Sequence, residues 1–239
     1  EEIDLIISNN NLQFVEHNVQ EKIRDDSIDI TFNIFEGEKE LVKRINIKGN
    51  TVTNEDVIRG ELIVDEGDPL TMINLEKSIS KIKARNIFNE VKYKITDSEE
   101  KNLKIIDIEV EERPTGEISA GAGVGTSGGA IAFGIKENNW MGTGKAVEFK
   151  LDLDEESLSG VLSMMNPNYD NLGNSLNYFL RSEGNDKPDQ GYENSLTAFN
   201  IDTSFEQFRD IYLSLGLSTS HDDLRTDTSA SSALQKQKG

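Results

Sequence analysis

The sequence predicts an α+β domain followed by the antiparallel strands of a transmembrane β-barrel. Two observations lead to this fold class. From residue 116 to about residue 220, stretches of alternating apolar and polar side chains recur about seven times, each ending at a turn. Before them, residues 37–112 mix short strands with two helical patterns. Alternation gives a strand one apolar face and one polar face, which suits lipid on one side and water on the other.

The bulk composition excludes several function classes. The 239 residues carry a formal charge of −19, so the surface repels nucleic-acid phosphates. A mean hydropathy of −0.52 excludes a helical membrane protein, which needs runs of ~20 apolar residues. The absence of cysteine excludes disulfides and thiol catalysis. No signal peptide precedes the first predicted element, so we expect the true N-terminus of the protein to lie upstream.

Residues 1–36 are predicted to be the C-terminal part of a domain. Glu1–Ser8 is expected to end a helix, and Leu12–Val19 and Ile28–Phe35 are expected to be strands. In the second of these, Ile28, Ile30, Phe32 and Ile34 alternate with polar or small residues. The stretch is too short to form a domain of its own.

Residues 37–112 are predicted to form a complete α+β domain in the order strand, helix, helix, strand, strand. Thr53 is expected to cap the first helix, with Asp56 in a capping-box position, and that helix is expected to end near Leu62. Thr71 is expected to start the second helix, whose apolar face contains Met72, Leu75, Ile79 and Ile82. The strands are predicted at Val42–Ile47, Val91–Ile95 and Leu103–Val110, the last two joined by the charged turn Asp97–Glu100.

Residues 113–239 are predicted to form the N-terminal part of a transmembrane β-barrel, incomplete at about seven strands. A long loop is expected from Glu183 to Asn194, and Trp140 is expected in a turn at the membrane interface. The strands are predicted at Gly116–Val124, Ala130–Lys136, Ala146–Leu153, Leu158–Met165, Ser175–Arg181, Leu196–Phe205 and Ile211–Ser218. The side chains predicted to face lipid are Ile131, Phe133, Ile135, Val147, Phe149, Leu151, Leu153, Leu213, Leu215 and Leu217.

Several short motifs, in their order and spacing, resemble BamA-type outer-membrane assembly factors. The runs Val42–Thr51, Val57–Glu61 and Glu66-Gly67 resemble the last POTRA domain of that family, and Ile87–Val91 resembles its step from helix to strand. Val110–Gly116 resembles the junction between the POTRA domain and the barrel. The runs Gly121–Gly125, Asn138–Gly144 and Asn166-Pro167 resemble the first barrel strands and turns.

The resemblance implies an outer-membrane protein of Gram-negative bacteria whose POTRA domains lie in the periplasm. Such proteins fold and insert unfolded β-barrel clients into the lipid bilayer, and they work with periplasm-facing lipoproteins. Arg59 and Glu66 match positions on the lipoprotein-facing surface. Because no bond is broken, we expect no enzyme activity, no catalytic group, no cofactor and no metal. Without the resemblance, the favoured interpretation of Arg59 and Glu66 is a surface ion pair that contributes little to stability.

The first barrel strand is predicted to be one side of a lateral gate. Its small residues make few contacts, and glycine weakens a strand, so the seam of a closed barrel is expected to open there. An unfolded client strand would then pair with the exposed edge, and the edge of the POTRA sheet is expected to accept extended clients in the same way. The residues assigned to this gate are Gly116, Ile118, Ala120, Gly121, Ala122, Gly123 and Val124. The alternative is a tightly packed backbone with no gating role.

Other functions and motifs stay open at this point. The alternatives are a TamA-like factor or a two-partner secretion transporter of the same superfamily, a soluble periplasmic β-rich binding protein, and a porin-like barrel, which would not explain the α+β domain at residues 37–112. The run Gly123–Gly128 fits G-x-G-x-x-G, but a strand is predicted after it where a nucleotide site needs a helix. Asn166, Asn168 and Asp170 imitate the start of a calcium loop that then lacks its glycine and glutamate. His17 and His221 lack ligand spacing, and Glu111-Glu112 is interpreted as solvated junction charge.

Overall fold

The computed structural model describes residues 15–24, 27–36, 39–125, 128–208 and 211–237. The predicted helix at Glu1–Ser8 lies outside them. Contacts between residues divide the chain into two units. The first holds residues up to Asn50 and Glu61–Glu111, and the second holds Thr51–Gly60 and the chain from Glu112 onward. This grouping differs from the predicted domain boundaries at Thr51–Gly60.

A two-stranded hairpin begins the first unit. Strands β1 (Val15–Arg24) and β2 (Ser27–Glu36) pair antiparallel, with Val19 opposite Phe32 and Ile23 opposite Ile28. β2 contains the predicted strand Ile28–Phe35. β1 continues five residues past its predicted end at Val19, and the predicted start at Leu12 lies outside the described residues.

The predicted order of strand, helix, helix, strand, strand is confirmed. It consists of β3 (Leu41–Lys48), α1 (Glu55–Arg59), α2 (Met72–Ala84), β4 (Phe88–Asp97) and β5 (Leu103–Glu112). The three strands form one sheet in the order β3-β5-β4, and β3 runs parallel to β5. α1 belongs to the second unit by its contacts.

The core of the first unit is aliphatic, and one polar side chain of α2 is buried within it. Thr71 caps α2 as predicted, and its hydroxyl accepts a 3.4 Å hydrogen bond from the N–H of Asn74. Ser78 is buried; its hydroxyl donates to the carbonyl of Asn74 and accepts from the N–H of Ile63. The other buried residues include Val42, Ile45, Leu75, Ile79, Ile82, Ile87, Val91, Ile106 and Ile108.

Two predictions for the helices were wrong. Met72 is exposed, because it is the first residue of α2 and the buried face starts one turn later at Leu75. Thr53 does not cap α1, whose N-cap residue is Asn54 and which ends at Arg59 instead of Leu62. The reason is that the Thr53 hydroxyl accepts a hydrogen bond from the side chain of Asn139.

The second unit contains a seven-stranded antiparallel sheet in which each strand pairs with the next along the chain, so the predicted strands are confirmed. Its strands are β6 (Gly116–Gly125), β7 (Gly128–Glu137), β8 (Ala146–Asp154), β9 (Ser157–Asn166), β10 (Ser175–Lys187), β11 (Tyr192–Phe208) and β12 (Ile211–Thr226). A short helix, α3 (Ser232–Gln235), follows β12. Among the described residues, no helix is long and apolar enough to cross a bilayer.

The predicted long loop from Glu183 to Asn194 was wrong. β10 continues to Lys187 and β11 starts at Tyr192, so only a short 3-10 turn, Pro188–Gln190, connects them. Their pairing continues from Arg181 opposite Ala198 to Lys187 opposite Tyr192. Backbone hydrogen bonds keep this part of the hairpin in strand form although its side chains are polar.

Candidate membrane face, sheet edge and junction cluster

The strand register brings the predicted lipid-facing residues together on one face of the sheet. Ile131 pairs with Leu153, Phe133 with Leu151 and Ile135 with Phe149. Directly paired residues point to the same side of a sheet, so these residues form one apolar surface. One row of this surface crosses six strands without a polar residue and contains Ile118, Ile135, Phe149, Leu162, Leu180 and Phe199.

The apolar band reaches β12 and ends at the base of β7 and β8. Leu213, Leu215 and Leu217 pair with Phe205, Thr203 and Ile201 and are exposed. Val147, which is half-buried, pairs with Glu137. Glu137 is the last residue of β7, so the apolar rows stop where the turn to β8 begins.

The opposite face of the sheet is mostly polar, although Val161 and Phe179 lie on it. Glu148, Lys150 and Asp152 of β8 alternate with the apolar residues, and the Lys150 ammonium lies 2.9 Å from the Glu148 carboxylate. Further along the sheet, Asn177 Nδ2 donates a 2.7 Å hydrogen bond to Asp202 Oδ2. One side of the sheet therefore suits hydrocarbon and the other suits water.

The predicted gate strand, β6, lies at one edge of this sheet. Within the described residues its strand partner is β7, and all ten of its residues are exposed. No atom lies within 4 Å of the position that a Cβ would take at Gly121, Gly123 or Gly125. Side-chain contacts therefore contribute little to holding this strand, and its pairing depends on backbone hydrogen bonds.

A group of polar residues that we call the junction cluster (Thr51, Thr53, Glu112, Asn139 and Asn168) lies in the second unit. The Glu112 carboxylate accepts hydrogen bonds from Thr51 Oγ1 at 2.6 Å and from the N–H groups of Thr51, Val52 and Thr53 at 2.6–3.0 Å. Desolvation raises the pKa of Glu112, but the hydrogen bonds from Thr51, Thr53 and Val52 outweigh it and lower the pKa to about 2. The interpretation of Glu112 as a solvated charge was wrong.

Asn139 joins two parts of the junction cluster. Its Nδ2 donates 2.8 Å to Thr53 Oγ1, and its Oδ1 accepts 2.7 Å from the N–H of Gly144. In the same turn, the Gly142 carbonyl accepts 2.8 Å from the N–H of Asn54. Gly142 has φ +72, and a Cβ there would lie 2.0 Å from the carbonyl oxygen of Val52. A larger residue does not fit at position 142.

Asn168 holds the other end of the segment Thr51–Gly60. Its Nδ2 donates 2.9 Å to the carbonyl of Gly60, and its Oδ1 accepts 2.8 Å from the N–H of Gly173. Asp170, which the sequence placed in a calcium-like run, accepts from the N–H of Leu172 and from Asn174 Nδ2. These polar atoms therefore organise a turn. The described residues contain no group of three acidic or histidine side chains that could hold a metal ion.

The two predicted partner-binding residues, Arg59 and Glu66, each contact a group of their own unit. Arg59 Nε lies 2.7 Å from Glu55 Oε1, one turn earlier in α1. Glu66, in the first unit, accepts a 3.0 Å hydrogen bond from the N–H of Ile45. Strand β7 begins at Gly128, the last residue of the G-x-G-x-x-G run Gly123–Gly128, so a strand and not a helix follows this run, as predicted. His221 is an exposed strand residue, whereas the side chain of His17 and residues 126–127 lie outside the described part.

The fold and these sites define a class of protein: a mixed α+β domain followed by an antiparallel sheet with one apolar face. A family model described as POTRA, surface antigen variable number repeat, matches residues 41–113. Residues 41–113 are therefore a POTRA domain. The POTRA prediction, made from short motifs between Val42 and Gly67, is confirmed.

The chain is similar to proteins named outer membrane protein assembly factor BamA. It is 29% identical over 204 residues to the protein of Neorickettsia risticii, with 82% of this chain and 27% of that protein covered. It is 29% identical over 154 residues to the protein of Neisseria meningitidis, with 64% and 19% covered. The resemblance to BamA-type factors is confirmed, and the chain spans about a quarter or less of the length of these curated relatives.

Solved structures share the fold. The crystal structure of BamA from Haemophilus ducreyi lacking POTRA domains 1–3 has a TM-score of 0.74 at 22% identity and covers 94% of this chain and 45% of that chain. CdiB from Escherichia coli has a TM-score of 0.60 at 13% identity and covers 94% of this chain and 45% of that chain. These likenesses show that the mixed α+β domain and the antiparallel sheet each have the same fold as in the two solved structures.

Proposed function

We propose that the chain is part of an outer-membrane protein assembly factor that inserts β-barrel clients into the bacterial outer membrane. The name of the similar proteins supports this proposal, and so does one observation: an apolar row on one face of the sheet crosses six strands from Ile118 to Phe199. A soluble protein would cover that face with a second layer. In this proposal the bilayer covers it, and the POTRA domain lies in the periplasm.

The proposed insertion step takes place at the edge strand β6. Burying unpaired backbone N–H and C=O groups in hydrocarbon costs several kcal/mol each, so an opened edge favours pairing with an incoming strand. Because Gly121 and Gly123 contribute no side-chain contacts, the cost of opening at β6 is low. The work consists of exchanging backbone hydrogen bonds. The proposed function therefore requires no catalytic group, metal or cofactor.

The proposed partners are unfolded clients, which pair with β6, and lipoproteins, for which Arg59 and Glu66 are the candidate contact residues. Both residues are charged and within reach of solvent, so either can meet an opposite charge on a partner. Glu66 also accepts the N–H of Ile45, so a charge reversal there changes two interactions at once. Glu66→Gln is the cleaner test, because it removes the charge and keeps an acceptor oxygen. We expect it to weaken lipoprotein co-purification without disturbing the fold.

A photo-crosslinking experiment tests the strand exchange. A photoreactive amino acid replaces Ser119 in β6 or, as a matched control, Ser163 in β9, which is paired on both sides with Glu148 and Phe179. Both serines lie on the polar face. We expect client adducts at position 119 and none at position 163 during insertion. Equal adducts at both positions, or none at 119, contradict the proposal.

A second experiment blocks the edge. A disulfide that joins β6 at Ala120 to the strand that closes the barrel is expected to stop client insertion under oxidising conditions and to permit it after reduction. The chain has no cysteine, so the cysteine introduced at position 120 is the only one in these 239 residues. Undiminished insertion by the oxidised protein shows that β6 is not the gate.

A further inference from the structure

Three exposed apolar side chains lie at the turn between β7 and β8: Trp140 and Met141 belong to the turn, and Val52 lies next to it. Val52 is 66% exposed, Met141 is 78% exposed and Trp140 is 45% exposed. Their backbones lie next to each other, since the Val52 carbonyl closely approaches Gly142 and the N–H of Asn54 donates to the Gly142 carbonyl. Two segments distant in sequence thus contribute to one small apolar patch in the second unit.

The patch is held on a fixed backbone. The N–H of Val52 donates 3.0 Å to Glu112 Oε2, whose carboxylate also binds both neighbouring residues. Met141 has φ 51 and ψ 31, a left-handed conformation that a residue with a long side chain adopts at a cost of about 1–3 kcal/mol. The N–H of Trp140 donates 2.9 Å to the carbonyl of Lys145. These bonds fix the backbone that carries the three exposed side chains.

The position of the patch indicates what covers it. The turn begins directly after Glu137, whose register partner Val147 ends the apolar band on β8. The patch therefore continues the lipid-facing surface at the level where hydrocarbon gives way to headgroups. Tryptophan is enriched at that level, and Lys145 places a cation where lipid phosphates lie. This continuity with the band favours a phospholipid surface over a protein groove.

The geometry points to a membrane foot: Val52, Trp140 and Met141 contact the interfacial region of the periplasm-facing leaflet. This inference rests on the proposed function, because it requires the sheet to span the bilayer. It adds that Thr51–Gly60, and with it Arg59, is held at the membrane surface by lipid as well as by the junction cluster. The foot fixes the height above the bilayer at which a partner meets α1.

Depth-dependent fluorescence quenching tests the foot. Trp140 is the only tryptophan in these 239 residues. The protein is reconstituted in phosphatidylcholine bilayers with bromines near the top or near the end of the acyl chain, and any tryptophan elsewhere in the protein is replaced by phenylalanine. Single tryptophans are then compared at position 140, at position 52 (Val52→Trp, Trp140→Phe) and at position 141 (Met141→Trp, Trp140→Phe). The controls are Glu99→Trp in an exposed turn of the POTRA domain and Phe149→Trp in the apolar band, each in the Trp140→Phe background.

Each outcome decides one question. The foot predicts blue-shifted emission at positions 52, 140 and 141, with stronger quenching by shallow than by deep bromines, and no lipid quenching at position 99. If acrylamide quenches positions 52 and 141 and the brominated lipids do not, these positions face water and the foot is overturned. If neither quencher acts there, another protein surface covers the patch, and the foot is also overturned. If Phe149→Trp is itself unquenched by deep bromines, the proposed membrane function fails. If it is quenched and the foot positions are not, only this inference fails.

Discussion

Asn139 and Thr53 are separated by 86 residues in sequence and are joined by a 2.8 Å hydrogen bond between their side chains, both of which are buried. The bond fixes Thr53, two residues before α1, onto the turn between β7 and β8. It also explains why Thr53 does not cap α1. The start of the segment Thr51–Gly60 is thus positioned by a turn of the seven-stranded sheet within one compact unit.

A double-mutant cycle measures this bond. Asn139→Ala removes the donor, together with the acceptor of the Gly144 N–H, while Thr53→Val removes the acceptor with little change of volume. Each change alone is expected to cost about 1–3 kcal/mol, because it leaves a buried polar group unpaired. The double variant should cost about 1 kcal/mol less than the sum of the two. The free energy of unfolding in urea provides the readout, and simple additivity shows that the two side chains are not coupled.

Gly142 is predicted to tolerate no side chain. Gly142→Ala adds a Cβ 2.0 Å from the Val52 carbonyl oxygen and imposes φ +72 on an alanine. Gly173→Ala is the control, because that glycine also has a positive φ, +91, but has no atom within 4 Å of the added Cβ. We expect about 1–2 kcal/mol for Gly173→Ala from backbone strain alone and clearly more for Gly142→Ala. Equal costs would mean that the close approach to Val52 is not maintained in solution.

Glu112 is predicted to hold Thr51–Thr53 in a pH-dependent manner. Its pKa falls from 4.5 to about 2, so the carboxylate stabilises the folded form above pH 4.5, and that contribution is lost as the pH falls through about 2. Hydrogen exchange at the amides of Thr51, Val52 and Thr53 measures it as a protection factor. Glu112→Gln should lower the protection factors of these three amides at pH 7. Near pH 2, the protection factors of the variant and of the unsubstituted protein should become similar. A difference that is independent of pH excludes a role for the charge.

Ser78 is predicted to stabilise the POTRA core. Its buried hydroxyl accepts the N–H of Ile63 at 2.8 Å and donates to the carbonyl of Asn74 at 2.7 Å, so Ser78→Ala removes two hydrogen bonds at a cost of about 1–3 kcal/mol. Ser80→Ala is the control, since Ser80 is exposed on the same helix and its replacement should change stability by less than about 0.5 kcal/mol. Urea unfolding of the two variants compares them. A small effect at Ser78 indicates that water replaces the lost hydroxyl.

The sequence predicted the elements that depend on periodicity. The seven strands of the sheet follow from apolar residues at a spacing of two. The buried residues Leu75, Ile79 and Ile82 of α2 follow from apolar residues at a spacing of three to four. The prediction failed at Glu183–Asn194 because β10 and β11 carry polar side chains there, so alternation stops while backbone pairing continues. It also missed Glu112 and Asn139, whose partners at Thr51–Thr53 are distant in sequence. Hydrogen bonds between distant short polar residues leave no periodic pattern, and only the asparagine- and glycine-rich run at Asn138–Gly144 indicated a structured turn.

The central claim is that one face of the seven-stranded sheet contacts hydrocarbon and the other contacts water. Spin labels on single cysteines from Val147 to Leu153 of β8 test it most directly, because oxygen concentrates in hydrocarbon and a nickel chelate stays in water. In bilayers, we predict oxygen accessibility to peak at Val147, Phe149, Leu151 and Leu153, and nickel accessibility to peak at Glu148, Lys150 and Asp152. Equal accessibility at all seven positions, or protection of the apolar positions from both reagents, would contradict the membrane assignment.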